Sequence, residues 1–239
     1  MKLDILAIGV HPDDVELGCS GTLLKHIDLG KKVGIVDLTQ GELGTRGDAA
    51  TRLMEAEEAR KIMGALVREN LGMADGFFQH SEENVLKISR MVRKYQPEIV
   101  LSNAIRDRHP DHGRASKLIS DACFYSGLSK IVQNDEQGNP LQAWRPKAVY
   151  HYIQDRNIKA DFVVDISDYM EKKFECILAF KTQFNMEDYE GPKTPISSRN
   201  FMDYMRSKNQ AYGRDINAKY AEGFTVERNI GVRNLFDLV

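Results

Sequence analysis

Two short clusters of histidine and aspartate carry the side chains that bind divalent metal ions and activate water. The first is His11-Pro12-Asp13-Asp14, and the second is His109-Pro110-Asp111-His112. Each cluster follows a short apolar run that is typical of a buried strand. Imidazole nitrogens and carboxylate oxygens are ligands that zinc accepts, so two such clusters that meet in space could hold one ion.

The first cluster has the spacing for metal ligands and a general base. His11 and Asp14 are three residues apart and can reach one ion if the chain turns between them, and Pro12 stiffens such a turn by fixing its φ. Asp13 and Asp14 are adjacent, so their side chains should point in different directions. One of them can therefore bind the metal while the other faces the bound water as a general base.

The second cluster can complete the site. A catalytic zinc site uses three protein ligands and leaves one position for water, and His112 would be the third ligand. If His109 does not bind the ion, it lies beside it as an acid, and Asp111 could hold its ring protonated and oriented. His151 is a further candidate ligand. Fe²⁺, Co²⁺ or Mn²⁺ could also occupy such a site.

Each cluster taken alone has a simpler interpretation. An aspartate near a helix N-terminus, such as Asp14, is often only a helix cap, and a single His/Asp run in a loop is equally unspecific. The prediction of a metal site therefore depends on whether the two clusters meet.

The elements that must bring the clusters together alternate between strands and helices. We predict strands at 3–10, 33–38, 66–71, 98–102, 148–153 and 162–166, and helices at 15–29, 49–63, 82–95, 115–125, 168–184 and 200–212. Ser81 and Asp168 could cap two of these helices. The alternation predicts an α/β fold, a mostly parallel sheet with helices on both faces, in a single domain over residues 1–239.

The order of the strands predicts where the clusters lie. In the common doubly wound order, strands one and four are neighbours, and ligands bind in the crevice where the order reverses, beyond the carboxyl ends of the strands. The two clusters follow these two strands. Strand order and motif position therefore predict one shared site.

Composition and charge argue against several classes of protein. Of the 239 residues, 42% are hydrophobic and 28% charged, as in ordinary globular domains, and a net charge of −2 without a Lys/Arg block argues against a nucleic-acid partner. Cys19, Cys123 and Cys176 are far apart, so a disulfide framework is not expected. Without a signal-peptide pattern or an apolar run long enough to span a bilayer, we expect a cytoplasmic protein with no membrane partner.

Several other residues are candidate substrate contacts. Arg52 lies at the start of a helix, where a positive charge is unfavourable, so it either contacts a ligand or is simply solvated. Asp75-Gly76 is either a turn or an acceptor for substrate hydroxyls. Arg106 and Arg108 flank the second cluster and could pair with carboxylates, or be solvated. The Gly-rich loop 41–47 matches no phosphate-binding pattern, which favours a mobile lid.

At the two clusters the chain resembles the LmbE-like / PIG-L family of zinc-dependent N-acetylglucosaminyl deacetylases. The resemblance continues through Arg52-Leu53-Met54-Glu55-Ala56, which is similar to the family's R-x-x-E-A helix. The similarity is greatest to the bacillithiol-pathway branch, which deacetylates N-acetylglucosaminyl-L-malate. The segments that resemble this branch are 39–47, Arg68-Glu69-Asn70-Leu71 with Asp75-Gly76, Lys193-Thr194-Pro195 and Tyr220-Ala221-Glu222-Gly223-Phe224.

The resemblance implies a Rossmann-like fold and the roles of the clustered residues. It implies one Zn²⁺ per subunit, bound by His11, Asp14 and His112. It also implies that Asp13 is the general base and that His109, with Asp111 behind it, protonates the leaving amine or stabilises the oxyanion.

The resemblance further implies a small-molecule glycoside substrate. Arg52 would correspond to the family's sugar-contacting arginine, and Asp75 to a hydroxyl-binding acid. A malate aglycone carries two carboxylates, and we expect its partners among the arginines Arg46, Arg106 and Arg108. The family's mobile tyrosine could be Tyr150, Tyr152 or Tyr189. A homo-oligomer is possible, although no interface pattern is visible.

Two other hypotheses are compatible with parts of the pattern. A metal site of this type could hydrolyse a phosphoester or another amide, including that of a different N-acetylglucosaminide. A nucleotide-binding module without catalysis would need no metal, but the chain has no dinucleotide or P-loop fingerprint.

Overall fold

The computed structural model describes residues 1–184 and 192–237. In this part of the chain, strands alternate with helices. The strands are β1 Ile5–Gly9, β2 Val33–Thr39, β3 Val67–Met73, β4 Ile99–Ser102, β5 Ala148–Tyr152, β6 Phe162–Asp165 and β7 Ala221–Val226. The helices are α1 Asp14–Asp28, α2 Ala49–Met63, α3 Glu82–Tyr95, α4 Pro110–Tyr125, α5 Met170–Leu178, α6 Lys181–Phe184 and α7 Arg199–Asp215. Short 3-10 helices span Ser167–Tyr169 and Leu235–Asp237.

The strands form one seven-stranded sheet in the order β3-β2-β1-β4-β5-β7-β6. The first five are parallel, and β7 runs antiparallel to both of its neighbours, β5 and β6. The order reverses between β1 and β4, which pair with Leu6 opposite Val100. The predicted α/β fold with strands one and four side by side is therefore confirmed.

The apolar character of β1 reflects burial on both faces of the sheet. Leu6 and Ile8 pack in a core with helices α3 and α4, whereas Ile5 and Ala7 pack in a second core with α1. A strand covered by helices on both sides needs apolar side chains at successive positions, so it reads as a continuous apolar run. This burial holds the carboxyl end of β1 rigidly beneath the first His/Asp cluster.

The helix ends explain several of the predicted boundaries. The Ser81 side chain accepts a hydrogen bond from the backbone N–H of Asn84 and caps α3, as predicted. Gly64 ends α2 in the left-handed conformation, with φ of 83°. Helix α4 begins earlier than expected, because Pro110 occupies its first turn. The second cluster therefore lies in a helical first turn and not in a loop.

The predicted helix at 168–184 is wrong in its start and its continuity. Asp168 lies inside a 3-10 turn, and α5 begins at Met170 without a side-chain cap. The helix is interrupted between α5 and α6, where Phe180 turns into the core and its ring lies 5.6 Å from the Arg68 guanidinium. Burial of this aromatic ring outweighs the continuity of the helix.

Strand β7 was not predicted, because buried polar residues interrupt its apolar pattern. Its Glu222 is buried and pairs with the buried Lys173 at 2.6 Å. The same carboxylate accepts hydrogen bonds from the backbone N–H groups of Gly21 and Thr22 in α1. Such pairing becomes visible only once the chain is folded.

The described helices include none that is both long and apolar enough to cross a membrane. The three cysteines are buried as free thiols.

Candidate active site

The two His/Asp clusters meet at the carboxyl ends of β1 and β4. The ring centroids of His11 and His112 are 5.7 Å apart, and His109 stacks on His112 at 5.2 Å. One ring nitrogen from each of the three histidines lies within 4.8 Å of those of the other two. The convergence that strand order predicted is thus present, and the rings are close enough to share an ion.

A sharp backbone turn separates the two aspartates of the first cluster. Asp13 adopts φ of 120°, a region that costs energy for any residue other than glycine. Beyond it, the Asp14 carboxylate points back and accepts the backbone N–H groups of Val10 and His11, both at 3.0 Å. Asp14 is therefore not a simple cap of α1, because its oxygens face the end of β1.

Asp14 is the electrostatic centre of the site. One of its oxygens lies 3.1 Å from Nε2 of His112, and the other lies 3.6 Å from Nδ1 of His11. Amides of Asn103 and Gln154 donate to the same carboxylate at 3.0 and 2.9 Å. Burial acts to raise the pKa of Asp14, but the charge of His112 and the histidine hydrogen bonds lower it well below its usual range. Asp14 is thus held as a carboxylate.

Sequence analysis missed Asn103 and Gln154. Asn103 directly follows β4 just as the first cluster follows β1, so the strand-end argument could have included it. Gln154 follows β5, the next parallel strand, at the same edge of the sheet.

His112 has a second carboxylate behind it that sequence analysis also missed. Nδ1 of His112 lies 2.5 Å from Oδ2 of Asp107, on the side of the ring opposite Asp14. Burial lowers the pKa of His112, but Asp14 and Asp107 together raise it to about 9. Asp107 also accepts the backbone N–H of Arg156, which holds its carboxylate in place. A carboxylate in this position orients a metal-binding imidazole.

His11 has a similar partner in Asp75. Nε2 of His11 lies 3.0 Å from Oδ1 of Asp75, whose other oxygen accepts the backbone N–H of Leu43. Asp75 lines the cavity described below, so it is more than a turn residue, and both of its oxygens already have protein partners.

Asp13 pairs with Arg52 and has a strongly shifted pKa. Nη2 of Arg52 lies 3.0 Å from Oδ2 of Asp13 and also donates to the carbonyl oxygen of Pro12. Burial raises the pKa of Asp13 to about 7, although the charge of Arg52 acts in the opposite direction. Arg52 is only 5% exposed, so it is not the solvated arginine that was the alternative. Glycine is favoured at position 41, because its φ is 67° and because a Cβ there would lie 2.5 Å from Nη1 of the ion-paired Arg52.

His109 is half-buried and caps α4. Its Nδ1 accepts the backbone N–H of Asp111 at 3.3 Å, so a neutral His109 carries its proton on Nε2. Burial, followed by the charges of His11 and His112, lowers the pKa of His109 and favours the neutral ring.

Asp111 is placed differently from the expectation. Its carboxylate accepts the backbone N–H of Gly76 and a guanidinium N–H of Arg114, at 2.9 and 3.0 Å. Its Oδ2 lies 3.7 Å from Nε2 of His11. The group that contacts the His109 ring is thus the backbone of Asp111 and not its carboxylate, because the carboxylate is drawn into the turn at Gly76.

A cavity of about 310 Å³ opens over the cluster. Arg52, Asp75 and Arg108 line it, together with Leu43, Gly44 and Thr45 from the Gly-rich loop, and their role as substrate contacts stays a prediction. Arg46 and Arg106 do not belong to its described lining. Arg46 is buried and donates to the carbonyl oxygen of Gln183, and Arg106 is exposed elsewhere.

The tyrosine and histidine candidates outside the clusters are also placed. Tyr152 is fully buried and donates to the carbonyl oxygen of Ile8. Neither it nor Tyr150 belongs to the described lining of the cavity, and Tyr189 lies outside the described residues. His151 contacts Ser116, the backbone carbonyl of Asn103 and the Glu227 carboxylate. It does not belong to the described cluster of His11, His109 and His112.

The donor set fits a divalent metal ion. Imidazole nitrogens and a carboxylate that is kept ionised are the ligands of catalytic zinc sites. Asp75 contacts Nε2 of His11, and Asp107 contacts Nδ1 of His112; these are called the outer nitrogens of the two rings.

Comparisons with known proteins agree with this geometry. Residues 6–123 match the family model PIG-L, described as GlcNAc-PI de-N-acetylase. The chain is 30% identical over 229 residues to a diacetylchitobiose deacetylase from Thermococcus kodakarensis, covering 92% of this chain and 81% of that protein. A probable N-acetyl-alpha-D-glucosaminyl L-malate deacetylase 2 from Bacillus anthracis is 25% identical and covers 75% of this chain and 81% of its own length.

Two further matches bear on the fold and on the range of reactions. The solved structure of the conserved protein TT1542 from Thermus thermophilus has a TM-score of 0.83 and 30% identity, covering 97% of this chain and 98% of that one. A 4-oxalmesaconate hydratase from Pseudomonas putida is 25% identical and covers 98% of this chain and 90% of its own. The extent of the match to the Thermococcus deacetylase, together with both motifs, shows that this chain belongs to the PIG-L / LmbE-like family of deacetylases.

Proposed function

We propose that this protein is a metal-dependent hydrolase that removes the acetyl group from N-acetylglucosaminides, with N-acetylglucosaminyl-L-malate as its substrate. One observation carries the proposal: Asp13, a buried carboxylate with a pKa of about 7, lies next to a cluster of three imidazoles and Asp14. This arrangement supplies a base, a metal site and a proton donor in one cavity, which amide hydrolysis requires.

His11, Asp14 and His112 would hold the metal ion. Zn²⁺ suits this ligand set, and Fe²⁺ is accepted by the same types of atom. When bound, the ion would lower the pKa of a water molecule and polarise the acetamide carbonyl. Asp75 and Asp107 orient the two imidazoles through their outer nitrogens.

Asp13 would take a proton from the attacking water. A base whose pKa lies near the working pH is deprotonated in a substantial fraction of molecules and still accepts a proton readily as the water attacks. The oxygen of the water forms a bond to the carbonyl carbon of the acetyl group, and the C–N bond breaks. The products are acetate and a free amine, with the proton held by Asp13 passing to the amine.

His109 would assist at the developing oxyanion or the leaving amine. Its Nε2 carries the proton of the neutral ring, because Nδ1 is occupied by the backbone N–H of Asp111. A fixed N–H donor at this point stabilises negative charge as it forms on the carbonyl oxygen.

Elemental analysis together with an acetate assay tests the function. We expect about one metal ion per chain and acetate release from N-acetylglucosaminyl-L-malate, with slower release from N-acetylglucosamine alone. Phosphate release from a phosphoester, or hydration of 4-oxalmesaconate, the compound in the name of the Pseudomonas relative, with no acetate released from the glycoside, would overturn the proposal.

The pairing of Asp13 and Arg52 predicts a change in the pH dependence of the reaction. The carboxylate is active when deprotonated, so kcat/KM falls as pH drops through its pKa. Arg52 lowers that pKa, so Arg52→Gln should raise it and move the acidic limb of the profile up by about 1 pH unit. Arg52→Lys keeps the charge and should leave the limb in place. An unmoved limb in Arg52→Gln would mean that Arg52 does not act through Asp13.

A further inference from the structure

One wall of the active-site cavity contains a buried lysine that neither the metal site nor the proposed base uses. Lys208 lies on α7 and is only 8% exposed, yet its side chain lines the cavity. On the α7 side this wall contains the apolar residues Ile196, Phe201 and Met205, and the polar residues Gln154 and Asp155 line the same cavity. Lys208 is the ammonium group of this mixed wall.

The charge of Lys208 is matched by dipoles and not by a carboxylate. In the described part of the chain, its Nζ donates to the backbone carbonyl oxygens of Ile153 and Gln154. An ammonium group has three N–H donors, so one remains beyond these two carbonyls, and Nζ also lies 6.0 Å from the centroid of the Tyr204 ring. Burial lowers the pKa of Lys208 to about 8, and the charge of Lys173 acts in the same direction. The carboxylates of Asp107, Glu222 and Asp155 partly offset this, although none of them is a described hydrogen-bond partner of Nζ.

The other described cations of the cavity already have acidic partners. Arg52 pairs with Asp13, and Arg108 pairs with Asp155. Arg108 is also half-exposed, so water competes for its remaining donors. Lys208 is thus the described cation in this cavity best placed to gain from an incoming anion.

Gln154 sets the position of Lys208 relative to the reaction centre. Its side-chain amide donates to Asp14, and its backbone carbonyl accepts from Lys208. One residue therefore separates a proposed metal ligand from the ammonium group. A sugar whose acetamide faces Asp13 and Asp14 would lie in the same cavity that Lys208 lines.

We propose that Lys208 binds a carboxylate of the aglycone and so makes the enzyme prefer acidic N-acetylglucosaminides to neutral ones. This inference rests on the proposed deacetylase function and adds the residue that reads the aglycone. Arg46 and Arg106, which sequence analysis had favoured for this role, do not belong to the described lining of the cavity. A carboxylate on Lys208 would receive a charge-assisted hydrogen bond in a partly dry site, where such bonds are strong.

The test compares two substrates in matched variants. We would measure kcat/KM for N-acetylglucosaminyl-L-malate and for the neutral methyl N-acetylglucosaminide in wild type, Lys208→Met and Tyr204→Phe. Tyr204 lies one helical turn before Lys208 and donates to the carbonyl oxygen of Asp155, so Tyr204→Phe removes a hydrogen bond to the adjacent backbone group but keeps the charge of Lys208 and the ring beside it. Lys208→Met should lose about 10- to 100-fold on the acidic substrate and much less on the neutral one. Tyr204→Phe should leave the ratio unchanged.

An equal loss on both substrates in Lys208→Met would show that the lysine only supports the fold of the wall, and would overturn the inference. Lys208→Gln can still donate to one carbonyl, so it provides the same neutral comparison if Lys208→Met does not fold. Free L-malate should inhibit wild type at least 10-fold more strongly than Lys208→Met or Lys208→Gln. Wild type that binds metal but releases acetate from neither substrate would contradict the deacetylase function itself, which is a separate failure.

Discussion

Asp13→Asn should lower kcat by about 10²- to 10⁴-fold and leave the metal content unchanged. This is the range that a positioned general base contributes to a proton-transfer reaction. Asparagine has nearly the same shape but cannot accept a proton at neutral pH. The proposed ligand Asp14 lies beyond the turn at Asp13 and is held by the backbone N–H groups of Val10 and His11 and by two side-chain amides. The ligand set should therefore survive the substitution.

Stopped acetate assays and elemental analysis of the same preparation check this prediction. Asp13→Asn also removes the charge opposite Arg52, so thermal unfolding should be recorded to separate lost stability from lost chemistry. Full activity with the metal retained would exclude Asp13 as the base. Loss of the metal together with activity would instead assign Asp13 to the ligand set.

His112→Ala should remove both the metal and the activity. His112 is one of the two proposed imidazole ligands, and its neighbour Asp14 cannot hold an ion with His11 alone in a three-ligand site. Chelation of wild type should have the same effect on activity, and added Zn²⁺ should restore the chelated wild type but not the variant. Metal content, acetate release and recovery are the three readouts.

Asp107→Asn provides a graded control for the metal site. It keeps all proposed ligands but weakens the partner that lies 2.5 Å from Nδ1 of His112. We expect a roughly 10- to 100-fold loss of metal affinity, the usual cost of removing the group that orients a metal-binding histidine. Wild-type affinity and activity in His112→Ala would contradict the proposed ligand set. A normal affinity in Asp107→Asn would show only that Asp107 does not tune it.

Local patterns predicted much of the framework. Period and composition identified β1, β2 and β4, because strands covered on both faces must be apolar throughout. Sequence patterns were least informative where polar residues are buried. Glu222 interrupts the apolar pattern of β7, and its partner Lys173 lies 49 positions away.

The residues around the proposed metal site also include some that the sequence predicted and some that it did not. The two clusters could be recognised because they are dense in chemically distinctive residues at the ends of strands that strand order makes neighbours. Asn103, Gln154 and Asp107 were not recognised, because single amides and carboxylates are common in loops and only their contacts distinguish them.

The sequence alone determined the fold class, the meeting of the two clusters and the family, because these depend on residue type and on strand order. Only the tertiary structure decided which way each side chain faces. In the folded protein the Asp111 carboxylate accepts the backbone N–H of Gly76, and Arg46 is buried and donates to the carbonyl oxygen of Gln183. Lys208 on α7 donates to the backbone carbonyl of Gln154. These outcomes depend on hydrogen bonds between residues far apart in the chain, which no local pattern records.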